Sequence, residues 1–444
     1  MPTWSLRKRP APADAAAPSA KHRAATSNAA RAATPSVARV ATPSVARGVA
    51  TPSVARAATP NLPRASTPIL PSVIIPSALE LHLSTWGVRL RQAMENAVAP
   101  RNTLRALMSA NIRVGTDCAG LEAPILSLQA MQVFHTHVFS CERDPKKREF
   151  IKLNFPEPIL LNDMCRRSHA DLPRHDLYIC GFPCKPFSSL HRDSAFFQQA
   201  EARPFFAMIR TLRACLPAVA VLENVLGIKR VLCKVWRALR SLRWYEVLTV
   251  VIDPSAHGEP VSRPRVFFLL VRVDVAVARG SALDQLAMRL LRVGQTTTRA
   301  GLSQRMLPSS SSVVQQWLAK QRSPQGTLAA TQGVVGLTPR MQNVLGAALG
   351  RGTLRAGINV DVNLSVGWAS PRPICPVVTP GCRVVVGELK RLMVPMEKCL
   401  VHLVPVHRLA WPAGLSDANI SDFGGNTMHL LAVGAFHIIA MWLL

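Results

Sequence analysis

The feature that most constrains the fold is a series of short apolar runs separated by segments of helical length. Each run is rich in β-branched and aliphatic residues and is closed by polar or turn-forming residues. Strands that alternate with helices at this spacing predict an α/β fold with a doubly wound, Rossmann-like sheet. Ligands bind such sheets outside the carboxyl ends of the strands. We predict strands at 112–117, 133–140, 177–180, 219–222, 246–252 and 266–273, and a helix at 125–131.

Small and acidic residues stand where the first strands end. Asp117 ends the first strand and leads into Cys118-Ala119-Gly120-Leu121, where the glycine lets a ligand approach the backbone closely. Glu142 ends the second strand and can accept both hydroxyls of a ribose. Asp163 ends another apolar run and can accept an adenine amino group. Each acid alone also fits a helix cap. As an ordered set, without a Walker-type phosphate loop, they predict an adenosine-containing cofactor that carries no phosphates.

A cysteine between prolines follows the strand predicted at 177–180. In Gly181-Phe182-Pro183-Cys184-Lys185-Pro186-Phe187-Ser188 the prolines end the strand and stiffen the loop. Such a cysteine is either a buried structural thiol or a nucleophile held at the strand edge. Further polar motifs favour the nucleophile, because Glu223-Asn224-Val225 follows a later strand and Arg263-x-Arg265 precedes the last one.

Together, these motifs resemble the DNA cytosine-5 methyltransferases in residue type, order and spacing. The resemblance continues at the far end, where 391–397 is similar to the family's ninth motif. Residues 411–417 and 425–428 are similar to its tenth motif and the approach to it. The resemblance implies a Rossmann-like methyltransferase sheet with a smaller target-recognition domain. It also implies S-adenosylmethionine as the methyl donor and a cytosine flipped out of double-stranded DNA.

The resemblance implies a role for each matching residue. Cys184 supplies the thiolate that adds to carbon 6 of cytosine and makes carbon 5 nucleophilic. Glu223 donates a proton near N3, and Arg265 stabilises charge near O2. Arg263 makes a structural or phosphate contact, and Asn224 orders the loop. The residues implied to line the cofactor site are Asp117, Cys118, Ala119, Gly120, Leu121, Glu142, Asp163, Asn426 and Thr427.

The chain departs from the family's pattern at several positions. Lys185 and Val261 stand where family members usually carry glutamine, and His402-Leu403 replaces the Gln-Gly of the ninth motif. The glycine pair of the cofactor loop is Gly120-Leu121, with Glu122 next. The nucleophile, the acid and the arginine remain, so we predict an active DNA (cytosine-5-)-methyltransferase. The alternatives are a catalytically weak nucleic-acid-binding relative and a tRNA cytosine-5 methyltransferase.

The charge of the chain indicates a polyanionic partner. Its 53 Lys and Arg against 25 Asp and Glu give a net charge of +28. This charge favours nucleic acid as the partner over an anionic membrane surface. The ten cysteines include no Cys-x-x-Cys pair, which speaks against a disulfide framework or a ribbon-type metal site. We expect double-stranded DNA as the partner, no metal, no membrane and a monomeric protein.

The first 78 residues differ in composition from the rest. The repeat Ala-Thr-Pro-Ser-Val-Ala-Arg recurs every 8 or 9 residues, and large apolar residues are few. This predicts a disordered basic tail. The patch Arg7-Lys8-Arg9-Pro10 indicates nuclear import, whereas the Arg-, Ala- and Ser-rich composition is also typical of a transit peptide to a plastid or mitochondrion. A solvated linker is the third interpretation.

We predict four segments along the chain. The tail is 1–78, the catalytic cofactor-binding domain is 79–275, and the target-recognition region with the small domain is 276–420. A C-terminal helix at 421–444 returns to the catalytic domain. Residues 276–378 match no motif, so the target sequence cannot be derived from them. The apolar end from Met428 onward is shorter than the roughly 20 residues of a membrane span. We expect it to pack into the core.

Overall fold

The computed structural model describes residues 73–97, 111–187, 197, 200–278, 283–321, 333–334, 336–350 and 352–444. The predicted import patch and the Thr-Pro repeats lie outside these residues, as does the whole unit Leu6–Pro63. All the elements below belong to the other unit of the chain.

The apolar runs form the main sheet. Its strands are β1 (Ile112–Asp117), β2 (His135–Cys141), β3 (Ile159–Leu161), β4 (Leu177–Cys180), β5 (Val219–Val225), β6 (Tyr245–Ile252) and β7 (Arg265–Arg272). Their order is β3-β2-β1-β4-β5-β7-β6. The pairs from β3 to β5 are parallel, and β7 runs antiparallel to both β5 and β6. The prediction of a doubly wound sheet is confirmed. Each predicted strand is present, β1 and β4 with the predicted bounds and the others with shifted ends.

Helices connect and cover the strands. They are α1 (Ser77–Ala97), α2 (Ala123–Ala130), α3 (Pro145–Asn154), α4 (Arg203–Cys215), α5 (Leu232–Arg240), α6 (Val273–Ala278), α7 (Leu283–Arg292), α8 (Ser312–Gln321), α9 (Pro339–Leu349), α10 (Glu397–Leu400), α11 (Asp417–Asn426) and α12 (Leu430–Leu443). Capping residues in the sequence mark where several helices begin. The carboxylate of Asp144 caps α3 by accepting the amides of Lys146 and Lys147, and α11 begins with a capping box between Ser416 and Asn419.

The side chains of the central strands alternate between two separate cores. Val219 and Val221 of β5 face the core formed with α1, α2 and α12, whereas Ala220 and Leu222 face the core formed with α4 and α5. The two-residue period of a strand produces this division. Both faces are therefore covered, and the carboxyl ends of the strands form the free edge where a ligand can bind.

The apolar C-terminal segment lies inside the protein. Asp417–Leu443 is long and apolar enough to cross a membrane. However, 83% of its most apolar stretch of 18 residues is buried inside the protein. Helix α12 packs against α1 and α2. Gly87 of α1 lies so close to α2 that an added Cβ would clash with the backbone of Ala130. This contact fixes the first helix against the core.

A second, three-stranded sheet follows the main one. Its antiparallel strands are β8 (Asn359–Asp361), β9 (Val384–Val386) and β10 (Arg391–Leu392). A third apolar core lies beneath it and includes Val261 and Cys375. The backbones of these two residues form a parallel bridge, so the segment that precedes Arg263 is joined directly to the smaller sheet.

Candidate active site

Cys184 lies just beyond the carboxyl end of β4. It is half-buried and precedes a short 3-10 turn, Lys185–Phe187, in which the amide of Phe187 donates to the carbonyl of Cys184 at 2.8 Å. The ring of Phe182 packs against that of Phe187, with centroids 5.8 Å apart. The loop is therefore held by its own aromatic residues. Burial, followed by the charge of Glu223, raises the pKa of the Cys184 thiol, while Arg265 and Arg263 oppose this rise.

Glu223 and Arg265 meet beside this thiol. They lie on the adjacent antiparallel strands β5 and β7, and Nε of Arg265 is 3.0 Å from Oε1 of Glu223. Only 12% and 13% of the arginine and glutamate side chains are exposed. Burial raises the pKa of the Glu223 carboxyl, and the two arginines Arg265 and Arg263 lower it. Glu223 can therefore keep a proton at a higher pH than an exposed glutamate.

Asn224 and Arg263 hold the backbone around the site. The buried amide of Asn224 donates to the carbonyl of Phe182 at 3.0 Å, which ties the cysteine loop to β5. Arg263 is 4% exposed and donates to the carbonyls of Val378, Gly425 and Thr427 at 2.5, 3.1 and 2.8 Å. Of the two roles expected for Arg263, the structural one therefore fits its contacts.

The loop after β1 lines a cavity at the same edge. Gly120 has φ +58°, and no atom lies within 4 Å of a Cβ added there, so the loop faces open space. The buried Oγ1 of Thr427, across the cavity, has no hydrogen-bond partner among the described residues. The cavity continues to Glu223, which places it beside Cys184. Its lining includes Asp117, Cys118, Ala119, Gly120, Leu121, Gly181, Glu223, Asn426, Thr427 and Met428.

Three acids predicted for the cofactor site have different surroundings. Asp117 is buried and accepts two bonds from Arg167 and one from Tyr178. Glu142 accepts the amide of Gly120 at 2.9 Å with one oxygen and the amide of Asp144 at 2.9 Å with the other. Asp117 and Glu142 thus both support the loop.

Asp163, like Glu142, is a predicted cofactor residue that does not line the cavity. It accepts the amide of Cys165 at 2.8 Å. All the other predicted cofactor residues line the cavity. Glu142 contacts the cavity wall indirectly, through the amide of Gly120.

Sequence reasoning missed Arg167 and Tyr178, the partners of Asp117. They follow Asp117 by 50 and 61 residues, and Arg167 also donates to Oγ1 of Thr211 at 3.2 Å. The local pattern around Arg167 is an ordinary loop, so no sequence signal marks it. The signal for Tyr178 was its hydroxyl within an otherwise apolar strand, because a buried hydroxyl needs a hydrogen-bond partner.

The residues that depart from the family's pattern are accommodated by contacts with their neighbours. Lys185 is exposed and forms an ion pair of 3.5 Å with Glu201. Val261 is fully buried in the third core, and His402 is buried with Nδ1 2.7 Å from the carbonyl of Lys398. Leu403 has φ +67°, a left-handed conformation that favours glycine. The backbone thus keeps a glycine-like conformation with a leucine in place.

The residues present fit an adenosine-containing methyl donor in three respects. The loop offers an open cradle at Gly120, Thr427 offers an unpaired hydroxyl, and the cavity reaches Gly181 and Glu223. Met428 also lines this cavity, and its Cε lies against Gly181.

No group of three or more His, Cys, Asp or Glu residues arranged to hold a metal occurs in the described ranges.

Comparison with known proteins relates this site to a family. Residues 118–328 match the family model of the C-5 cytosine-specific DNA methylase. The DNA (cytosine-5-)-methyltransferase DMT5 of Cryptococcus neoformans is 32% identical over 145 residues, which are 28% of this chain and 6% of that protein. The type II methyltransferase M.NgoBV of Neisseria gonorrhoeae is 30% identical over 142 residues, 29% of this chain and 33% of that protein. The chain therefore spans a third or less of these two relatives.

The fold has counterparts among solved structures. The S. pombe Dnmt2 methyltransferase aligns with a TM-score of 0.50 at 14% identity, over 74% of this chain and 98% of that one. The Entamoeba histolytica methyltransferase EhMeth aligns with a TM-score of 0.51 at 14% identity, over 75% and 98% of the two chains. These likenesses confirm the predicted fold class. Residues 118–328, just under half of the chain, thus match the C-5 cytosine-specific DNA methylase family, and the two partial relatives support that match.

Proposed function

We propose that this chain methylates carbon 5 of cytosine in double-stranded DNA through a covalent adduct with Cys184. The observation that carries the proposal is the meeting of Cys184, Glu223 and Arg265 at one strand edge, beside the cavity of the Gly120 loop. A nucleophile, an acid and a cation are the three groups that addition to a cytosine ring requires.

Cys184 acts as the nucleophile. Its thiolate adds to carbon 6, which makes carbon 5 an enamine-like carbon able to attack a methyl group as the bond from that methyl group to its donor breaks. Loss of the carbon 5 proton to a base then expels the thiolate from carbon 6. The raised pKa of the thiol leaves a small thiolate fraction at neutral pH, and the positive charges of Arg265 and Arg263 increase it. Asn224 holds the loop so that the sulfur faces the base. The base must leave the duplex, because carbon 6 is covered by stacking in DNA.

Glu223 and Arg265 control the charge that addition places on the ring. Glu223 holds a proton for N3 because burial raises the pKa of its carboxyl. Arg265 is oriented by its bond to Glu223 and presents its remaining N–H groups to O2 of the base. General acid catalysis of this kind contributes about 10²–10⁴-fold to a rate.

S-adenosylmethionine, the methyl donor of the family, supplies an electrophilic methyl group when bound. The residues that would hold it are the Cys118–Leu121 loop on one side and Asn426 and Thr427 on the other. Glu142 keeps the loop in place through the amide of Gly120, and Asp117 does so through Arg167 and Tyr178.

The decisive test measures transfer of labelled methyl groups from S-adenosylmethionine to duplex DNA and, in parallel, to tRNA. We expect incorporation into DNA that Cys184→Ser abolishes. We also expect a covalent complex with a 5-fluorocytosine duplex that forms only when Cys184 is present. Incorporation into tRNA alone would identify an RNA enzyme. DNA binding without incorporation would identify a catalytically weak relative and reject the proposal.

We also propose that the chain is a monomer that acts in the nucleus. The support is the patch Arg7-Lys8-Arg9-Pro10, in a segment where basic residues far exceed acids. A fusion of residues 1–78 to a fluorescent protein should accumulate in nuclei, and Arg7→Ala with Arg9→Ala should prevent this. Accumulation in plastids or mitochondria would contradict nuclear import. Light scattering of the full chain measures the oligomeric state.

A further inference from the structure

One stretch of the chain has an extreme charge balance. Between Glu201 and Glu246, the only acid is Glu223, which lies in the candidate active site. The same stretch contains nine basic residues, and all nine are exposed. They are Arg203, Arg210, Arg213, Lys229, Arg230, Lys234, Arg237, Arg240 and Arg243.

These residues lie on one side of the sheet. Helices α4 and α5 both bury their apolar faces in the same core, with Leu212 of α4 and Leu239 of α5 fully buried there. Nη2 of Arg213 donates to Oγ of Ser241 at 3.0 Å, which joins the end of α4 to the turn after α5. The outward sides of the two helices therefore form one surface. We call Arg210, Arg213, Lys234, Arg237, Arg240 and Arg243 the α4–α5 basic surface.

Carboxylates in the described part of the chain do not neutralise the positive charge of this surface. Among the described residues, no carboxylate forms an ion pair with Arg213, Lys234, Arg237 or Arg240. The guanidinium of Arg240 stacks on the ring of Trp236, with its carbon 4.6 Å from the centroid. Stacking holds the guanidinium flat and leaves its N–H groups available to a partner. Trp244, next to Arg243, is 49% exposed.

The surface is separate from the candidate active site. Helix α4 runs back from the carboxyl end of β4 to the start of β5, and α5 likewise leads to the start of β6. Arg213, Arg240 and Arg243 therefore lie toward the amino ends of the strands, opposite Cys184. The seven residues of β5 correspond to about 23 Å at roughly 3.3 Å per residue. A partner on this surface occupies a different part of the molecule from a base at Cys184.

We propose that the α4–α5 basic surface binds the phosphate backbone of a DNA duplex outside the catalytic cleft. The inference rests on the proposed function for the identity of the polymer. Five of its six residues are arginines, whose planar guanidinium groups match phosphate oxygens in pairs. Lys234, Arg237 and Arg240 recur at every third position of α5, which gives a row of charges along one helix. Such contacts are independent of base sequence and hold a long duplex while the cleft engages a cytosine.

The test compares two triple variants of the full chain that lose the same charge. The first is Arg213→Gln/Arg237→Gln/Arg240→Gln. The matched control is Arg89→Gln/Lys152→Gln/Arg174→Gln, at three exposed basic residues elsewhere. Affinity for a duplex of about 60 base pairs is measured over a range of salt concentrations, without a methyl donor. We expect the surface variant to bind about tenfold more weakly or worse, with a salt dependence less steep by about 2 to 3 in log–log slope. The control should stay within about twofold of the wild type.

Equal losses of DNA affinity in both variants would overturn the inference, because they would show that only the total charge of the protein matters. Vesicles containing phosphatidylserine and a polyglutamate peptide are tested alongside. A surface variant that loses binding to either while keeping its DNA affinity would also overturn the inference. Thermal unfolding checks the fold, and Lys234→Gln/Arg243→Gln repeats the test with different residues. The binding assay does not depend on methylation. A wild type that binds DNA but does not methylate it would therefore reject the proposed function, while the comparison of the two triple variants would still test the basic surface.

Discussion

Oε1 of Glu223 lies 3.0 Å from Nε of Arg265, on neighbouring antiparallel strands and beside the half-buried Cys184. Burial favours the neutral carboxyl and the arginine favours the ionised one, so the two effects act against each other at Glu223. The acid is thus placed where small changes in its surroundings alter whether it carries a proton. Its proposed role as proton donor to cytosine depends on this balance.

Glu223→Gln should lower kcat by about 10²–10⁴-fold, because the amide can form a hydrogen bond but cannot transfer a proton. The wild type loses its proton donor as pH rises through the raised pKa of Glu223, and the variant has no such group. The ratio of wild-type to variant kcat should therefore fall with rising pH. Single-turnover methylation across pH measures this ratio. Glu246→Gln, at an exposed acid on β6, is the control, and a ratio independent of pH would contradict the role of Glu223.

Gly120→Val should weaken the binding of S-adenosylmethionine by more than tenfold. The added side chain would project into the cavity, where no protein atom lies within 4 Å of its Cβ. The left-handed backbone adds a strain of about 1–2 kcal/mol. Gly414→Val carries the same strain at φ +65°, also in open space but outside the cavity lining. Calorimetric titration should separate the two variants, and equal affinities would place the cofactor elsewhere.

Glu122→Gln should stabilise the protein increasingly as pH rises. Glu122 is fully buried and accepts hydrogen bonds from Thr116 and Ser140, and burial raises the pKa of its carboxyl to about 8. A raised carboxyl pKa favours the fold below the unfolded-state pKa, and that stability is lost as pH rises toward the folded-state value. Between pH ~4.5 and ~8 the variant should gain up to roughly 5 kcal/mol relative to the wild type. Denaturant unfolding at several pH values tests this, and a constant difference would contradict it.

Arg391→Met should cost about 3–5 kcal/mol of unfolding free energy, because it leaves the carboxylate of Glu397 buried without its cation. Glu397 is fully buried and lies 2.6 Å from Arg391, and it also accepts the amides of Leu307 and Val394. Adding Glu397→Gln, which removes the buried charge but keeps an acceptor for these amides, should recover much of the loss.

The control for this pair is Arg113→Met. Arg113 pairs with Asp176 at 2.8 Å, but both side chains are about one-third exposed, so its loss should cost less than about 1 kcal/mol. Equal costs for the buried and exposed pairs in denaturant unfolding would contradict the argument.

Much of the fold follows from local patterns in the sequence. The apolar runs that become β1, β4 and β5 begin at the predicted residues, since burial on both faces of a parallel sheet demands continuous apolar runs. The strands of the smaller sheet contain only two or three residues each, too few to show a period. Their pairing depends on contacts between distant segments.

The sequence by itself determined which side chains can perform the chemistry, because Cys184, Glu223 and Arg265 are tied to strand ends that local patterns reveal. Only the tertiary structure decided how they are held. Asp117 is fixed by Arg167 and Tyr178, and Arg263 reaches carbonyls up to 164 residues away. Such bonds join groups that have no regular spacing along the chain, and they form because buried polar atoms must find partners wherever folding brings them together.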